Sequence, residues 1–271
     1  MKIVRLDDTR HDVSPHVSGH IHAGNSVRPE IWKLAEEAPA SILYNGQSFA
    51  VMMVTPSDLE DFAVGFSITE GIAASVAELG SIRITEAADG FLVNVEVDAG
   101  ALARAEGRRR TLTGRSGCGI CGAQSLDAVM KPLARVAGPW PEAEAILKAF
   151  EQMPRLQPMN LENRSTHAAA YCDLLGNVEL VREDIGRHNA LDKLAGALAR
   201  TGRDASGGFI LMSSRCSVEL VQKAAAIRAP FLASVSAPSA LALRLAQGAG
   251  MGVAVKTRDG LMMFDKFGAK P

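Results

Sequence analysis

Cysteine is scarce in this chain, four among 271 residues. That is far from the density of a disulfide scaffold. It fits a reducing cytosol, where a close thiol pair is catalytic or metal-binding rather than a structural bridge. Net charge is almost absent too, at −1, so no global field draws the protein to nucleic acid or to an anionic membrane. Any anionic ligand needs a local patch. Long apolar runs are missing: charge or glycine breaks each one well short of the roughly 18 residues of a membrane span. Residues 1–30 lack the apolar core of a secretory signal. The expectation is a cytoplasmic protein without nucleic-acid or membrane partners. Its length allows one large or two modest domains with ample apolar content for a core.

Half of the cysteine sits in one glycine-rich stretch, Gly114-Arg115-Ser116-Gly117-Cys118-Gly119-Ile120-Cys121-Gly122. The glycines let the backbone move and approach a ligand closely. Arg108, Arg109, Arg110 and Arg115 precede the pair, and neighbouring cations favour the reactive thiolate. Cys118 and Cys121 therefore form a candidate reaction centre on a mobile loop.

Around it the pattern divides in three. Residues 1–30 read as a poorly ordered leader holding His11, His16, His20 and His22; nothing in the sequence fixes a metal geometry there. Residues 31–140 read as an antiparallel portion. Asn45-Gly46 and Asp89-Gly90 each mark a hairpin, and Ser57 to Glu60 reads as a capping box opening a helix to about Ala73. A helix is expected from about Gln124 to Leu133. Residues 141–271 read as α/β, beginning with a helix from Pro141 to Met153. Strands follow at His167–Asp173, Val178–Val181, Phe209–Met212, Phe231–Val235, Gly252–Val255 and Leu261–Phe264. Helices are expected over Arg187–Arg200, Val218–Arg228 and Pro238–Gln247.

Ligands of α/β sheets collect outside the carboxyl ends of strands. Three polar segments fall at such ends: Glu183 to Lys193, Ser213-Ser214-Arg215-Cys216-Ser217, and Ser236-Ala237-Pro238-Ser239. Each suits a phosphate at a helix N-terminus, and each also reads as ordinary capping and solvated charge. His167 reads either as a hydrogen-bonded core residue or as a ligand, and Cys172 as core packing. Cys216 is open to a lowered pKa at its helix start.

Zinc needs four ligands, and one Cys-x-x-Cys would need His167 or His188 to complete a site. A thioredoxin-like role needs the pair at the start of a helix after a strand, which the glycine-rich stretch fits poorly. Sulfur transfer, with one thiolate accepting sulfane sulfur as a persulfide, uses both the loop's mobility and its arginines.

From about Ile31 to Phe264 the chain resembles the formate dehydrogenase accessory sulfurtransferases, the FdhD family. The motifs are Tyr44-Asn45-Gly46; Asp58 to Phe66 with Glu70-Gly71-Ile72; Gly117 to Gly122; His167-Ala168-Ala169-Ala170; Glu183 to Lys193; and Ser213 to Ser217 with Val221-Gln222-Lys223. The resemblance implies a sulfurtransferase that takes sulfur from a cysteine desulfurase and passes it to the molybdenum (or tungsten) bis-molybdopterin guanine dinucleotide cofactor. That cofactor then enters formate dehydrogenase. It implies Cys118 as the persulfide carrier, with Cys121 as assistant or alternative carrier. The family's cofactor segment maps onto Lys256, Thr257, Arg258, Asp259 and Gly260, although Val255-Lys256 stand where relatives commonly have a glycine and an aromatic. Arg187, His188, Ser213, Ser214, Arg215 and Ser236 are expected to hold the phosphates of its GDP-like moieties.

The implied fold is α/β, a cytidine-deaminase-like three-layer α/β/α core, as a homodimer. Zinc deaminases carry a catalytic glutamate two residues after the metal-binding histidine. Ala169 stands there, so no metal site is expected and deamination is not. The competing class is a non-catalytic cofactor-binding chaperone, which sulfane sulfur on the protein would discriminate.

Overall fold

The structure, a computed structural model, describes residues 1–5, 12–112 and 133–264. The expected thiol loop and the helix after it, up to residue 132, lie outside those residues.

A five-stranded sheet runs in the order β1 (Ile3–Arg5), β6 (Leu79–Ala87), β7 (Gly90–Val97), β4 (Ala38–Tyr44) and β5 (Gln47–Val54). The Asn45-Gly46 turn takes left-handed angles at both residues, φ 48° and 80°, as a type I′ hairpin demands. The Asn45 side chain also ties this turn to β7, accepting from the Val97 N–H at 2.8 Å and donating to its carbonyl at 3.0 Å. Both hairpins are antiparallel as expected, but β4 pairs β7 in parallel, as does β1 with β6. The cause is helix α1 (Leu59–Thr69), which carries the chain back between the hairpins and makes the sheet mixed.

The capping box does not form. Asp58 is the N-cap, in the left-handed region and without a side-chain bond. Ser57 Oγ lies instead 3.4 Å from Lys193 Nζ, and Glu60 pairs with Arg5 at 3.7 Å. The helix also stops at Thr69, four residues early, where the Ile72 N–H donates back to the Ser67 carbonyl.

Residues 1–30 hold strands where a leader was expected. Besides β1, strands β2 (His16–Ala23) and β3 (Ser26–Lys33) form a separate antiparallel ribbon about a Gly24-Asn25 turn. The ribbon's base is fixed by the Leu34 N–H to the Pro15 carbonyl, Lys33 to Glu162 at 3.1 Å, and Arg164 over the Trp32 ring.

The second sheet has six strands, ordered β13 (Leu261–Phe264), β12 (Gly252–Lys256), β11 (Phe231–Ser236), β10 (Gly208–Arg215), β8 (His167–Asp173) and β9 (Val178–Asp184). Its alternating apolar residues separate into two cores. Ala169, Ile210, Met212, Leu232 and Val253 face the helices α5 (Arg187–Arg200), α6 (Val218–Ala226) and α7 (Ala240–Ala249). Ala168, Ala170, Phe209, Leu211, Phe231 and Ala254 face α3 (Ala143–Gln152). This is the expected three-layer α/β/α arrangement. Among the described residues the other α-helices are α2 (Ala99–Leu112), against β5 and β7, and the short α4 (Pro158–Asn163).

Helices α1 and α5 join the two sheets and cross at reciprocal glycines. A Cβ on Gly65 would lie 1.7 Å from the Asp192 carbonyl oxygen, and one on Gly196 would lie 1.8 Å from that of Asp61.

Candidate functional site

Strands β10, β11 and β12 are parallel, β8 is antiparallel to β10, and β9 to β8. The carboxyl ends of β9, β10, β11 and β12 and the start of β8 therefore share one sheet edge. That edge collects His167, Arg187, His188, Ser213, Ser214, Arg215, Ser236 and the 256–260 turn. With neighbouring strands about 4.8 Å apart, the ends of β9 and β12 stand about 19 Å apart. Helices α5, α6 and α7, which lie on one face, each begin at this edge, so three positive dipole ends point the same way.

The three starts differ in how they are capped. Ser239 Oγ accepts the Ala242 N–H at 3.2 Å and closes α7. Gly186, the N-cap of α5, has no side chain to offer. Ser217, the N-cap of α6, makes no cap bond; its hydroxyl lies 3.3 Å from His188 Nε2, which also meets Glu219 Oε2 at 2.8 Å. Plain capping thus describes Ser239 and not Ser217. Among the described residues no side chain caps the N–H groups opening α5 and α6, the arrangement that suits an anion.

His167 is half-buried at this edge. Burial first, then the charges of Arg187 and His188, hold its pKa below the ordinary histidine value. Ser213 Oγ accepts the Ala168 N–H at 2.7 Å, and Ser214 Oγ donates to the Arg215 carbonyl. The Arg215 and Ser236 side chains are exposed. The turn after β12 reaches the same edge, its Thr257 N–H bonded to the Gly260 carbonyl at 2.9 Å. Lys256 leans over the Phe150 ring at 5.6 Å, toward the α3 face and away from the helix starts. Thr257, Arg258 and Asp259 are exposed and Gly260 half-buried.

Most of the polar segment 183–193 does other work. Lys193 and Asp184 form a fully buried ion pair at 2.7 Å. Lys193 also donates to the Thr55 and Glu183 carbonyls, Asp184 accepts the Thr55 N–H, and Asn189 donates to the Met53 carbonyl. Glu183 accepts the Met159 and Asn160 N–H groups of α4 and the Thr166 hydroxyl. Asp184, Asn189 and Lys193 thus tie the second sheet to the end of β5, and Glu183 holds α4; Arg187 and His188 are the members left at the edge.

A second buried cluster escaped the sequence reading. Lys223 Nζ donates to both Asp192 oxygens (2.8 and 3.0 Å), to Glu70 Oε1 (3.0 Å) and to the Thr69 hydroxyl (3.1 Å). Glu70 accepts in turn from Arg108 of α2 at 3.0 Å. Burial alone would raise Glu70, but Lys223 and then Arg108 outweigh it and bring the carboxyl down to about 2. Burial alone would lower Lys223, but Asp192 and Glu70 hold its pKa above the ordinary value. Glu219, the partner of His188, was missed as well. The only sequence signal for it was its place in the first turn of α6.

The two thiols within the described residues are buried. Burial pushes Cys216 up to about 12 and raises Cys172 as well. For Cys216 this overrules the helix N-terminus. A thiol held protonated is a poor nucleophile, which leaves Cys118 and Cys121 as the candidate reactive pair. Among the described residues no group of three or more histidine, cysteine or acidic side chains is placed to hold a metal ion, and no helix is long and apolar enough to cross a membrane.

Residues 35–264 match the model of the FdhD/NarQ family. The chain is 48% identical over 229 residues to a sulfur carrier protein FdhD from Cupriavidus necator, covering 84% of this chain and 80% of that one. It is 46% identical over 227 residues to a protein of the same name from Xanthomonas euvesicatoria, covering 83% and 81%. Among solved structures, a candidate formate dehydrogenase accessory protein from Desulfotalea psychrophila superposes with a TM-score of 0.75 over 94% of this chain and 97% of its own. At 21% identity that likeness shows the fold.

Proposed function

The chain belongs to the FdhD/NarQ family, and from that premise we propose that it is a sulfur carrier in formate dehydrogenase maturation, acting through a persulfide on Cys118. The Cys118 thiolate attacks the outer sulfur of a cysteine desulfurase persulfide. A new S–S bond forms on Cys118, the donor's S–S bond breaks, and the donor leaves as its thiolate. Cys121 assists or serves as an alternative carrier. The substrate receiving the sulfur is the molybdenum or tungsten bis-molybdopterin guanine dinucleotide cofactor, which then passes to formate dehydrogenase. The protein works in the cytoplasm as a homodimer.

The observation that supports this reading most is the single sheet edge with two helix starts lacking side-chain caps beside Arg187, His188 and Arg215. It suits a long ligand bearing several phosphates better than a small one. Exposed Arg258 extends the same edge.

After incubation with a cysteine desulfurase and cysteine, a persulfide is expected on the Cys118–Cys121 peptide by mass spectrometry, labile to thiols and lost in Cys118→Ala. Absence of the adduct with an active donor would favour the non-catalytic chaperone. At the sheet edge, binding of GDP is expected to raise the His167 pKa, because a nearby phosphate stabilises the imidazolium. By linkage, GDP then binds more tightly as pH falls through the histidine's range. A histidine NMR titration with and without GDP reads this directly, and an unmoved midpoint would place the phosphates elsewhere.

A further inference from the structure

The β2–β3 ribbon precedes the family-matched residues 35–264 and takes no part in the site above. Among the described residues its strands pair only with each other. Large apolar side chains are exposed on both faces: Val17 and Trp32 on one, Val27 and Ile31 on the other, with Ile31 66% exposed. A two-stranded ribbon open on both faces is marginal in water.

Its two outer edges are not alike. Strand β3 carries Arg28, Pro29, Glu30 and Lys33, and proline and charge are the devices that keep an edge from pairing. Strand β2, His-Val-Ser-Gly-His-Ile-His-Ala, has no proline and no Lys, Arg, Asp or Glu. Its polarity also reads the same in both directions about Gly19: apolar Val17, polar Ser18, Gly19, polar His20, apolar Ile21, with His16 and His22 outside them. An isologous contact needs this self-complementarity.

We propose that β2 pairs antiparallel with β2 of a second copy of this chain about a two-fold axis at Gly19, joining two ribbons into one four-stranded sheet. Val17 then stands opposite Ile21 of the second copy on one face. On the other face Ser18 meets His20, and His16 meets His22. No Lys, Arg, Asp or Glu of β2 opposes the pairing. This deepens the homodimer reading by naming its interface, and rests on that reading.

The test is sedimentation of the full chain at micromolar concentration with two exposed-edge variants, Val17→Lys/Ile21→Lys and Val17→Glu/Ile21→Glu. Like charges opposite one another destabilise a strand pair, so each variant alone is expected to associate at least about tenfold more weakly than the wild-type dimer. Mixing the two sets lysine opposite glutamate at all four positions and is expected to restore a heterodimer. Weakened variants that fail to recombine would overturn the register. A dimer that persists unchanged in both variants would keep the homodimer and overturn this interface, and a monomeric wild type would overturn both.

Discussion

Gly196→Ala is expected to destabilise the protein by about 3 kcal/mol or more, at or beyond the top of the range for overpacking. For a chain of this size that lowers Tm by roughly 6–12 °C. The added methyl has no room, because its position falls 1.8 Å from the Asp61 carbonyl oxygen, a backbone atom in the facing helix. Gly65→Ala should do the same from the other side, against the Asp192 carbonyl. Relief requires α1 and α5 to move apart, and that seam carries the ion pair of Asp61 with Arg200 and the bond of the Thr69 hydroxyl to Asp192. A matched control is Gly107→Ala in α2, where nothing lies within 4 Å of the new Cβ. There, alanine should stabilise by about 0.5–1 kcal/mol through reduced backbone freedom in the unfolded chain. Thermal melts of the three variants measure both signs; a Gly196→Ala protein as stable as wild type would mean that the helices do not touch as described.

The residues that pack so closely were visible as letters, but their closeness was not. The expected strands and helices from His167 to Phe264 agree with the structure to within a few residues, because each is a short apolar run bounded by glycine, proline or a polar cluster. The gathering of Arg187, Ser213 and Ser236 at one edge followed from the strand-to-helix pattern, whereas the 256–260 turn entered only through the family resemblance. The ribbon escaped because histidine, serine and glycine in β2 break the apolar alternation that marks a half-buried strand, and neither of its faces is buried. The segment from Glu183 to Lys193 was read as ligand-binding or solvated, whereas Glu183, Asp184, Asn189, Asp192 and Lys193 are interior ties. Sequence shows charge but not its burial, and the partners are distant: Thr55 for Asp184, Glu70 for Lys223, 153 positions apart in the latter pair. The assignment of Cys118 rests on its motif, on the family, and on the burial of Cys172 and Cys216.

Lys223→Met should cost about 3–5 kcal/mol, the loss typical when one partner of a buried ion pair is removed. Methionine keeps much of the stem's volume beside Phe66, whose ring lies 5.4 Å from Nζ, so packing changes little. What is lost is the cation that compensates Asp192 and Glu70 at once. The effect should depend on pH with a definite sign. The depressed pKa of Glu70, about 2 against an ordinary 4.5, contributes stability that is fully present above pH 4.5 and lost as pH falls toward 2. Without Lys223 most of that depression disappears, and Asp192, which burial already pushes upward, titrates higher still. Acid therefore weakens the wild type through Glu70 while relieving the variant's uncompensated carboxylates, and the gap between them should narrow from pH 7 to pH 3. Urea unfolding at the two pH values checks this, and a gap of constant size would show that the loss is one of packing. Adding Asp192→Asn to Lys223→Met removes one stranded charge and should recover part of the stability at pH 7. The recovery should reach α2 as well, because Arg108 is held through Glu70.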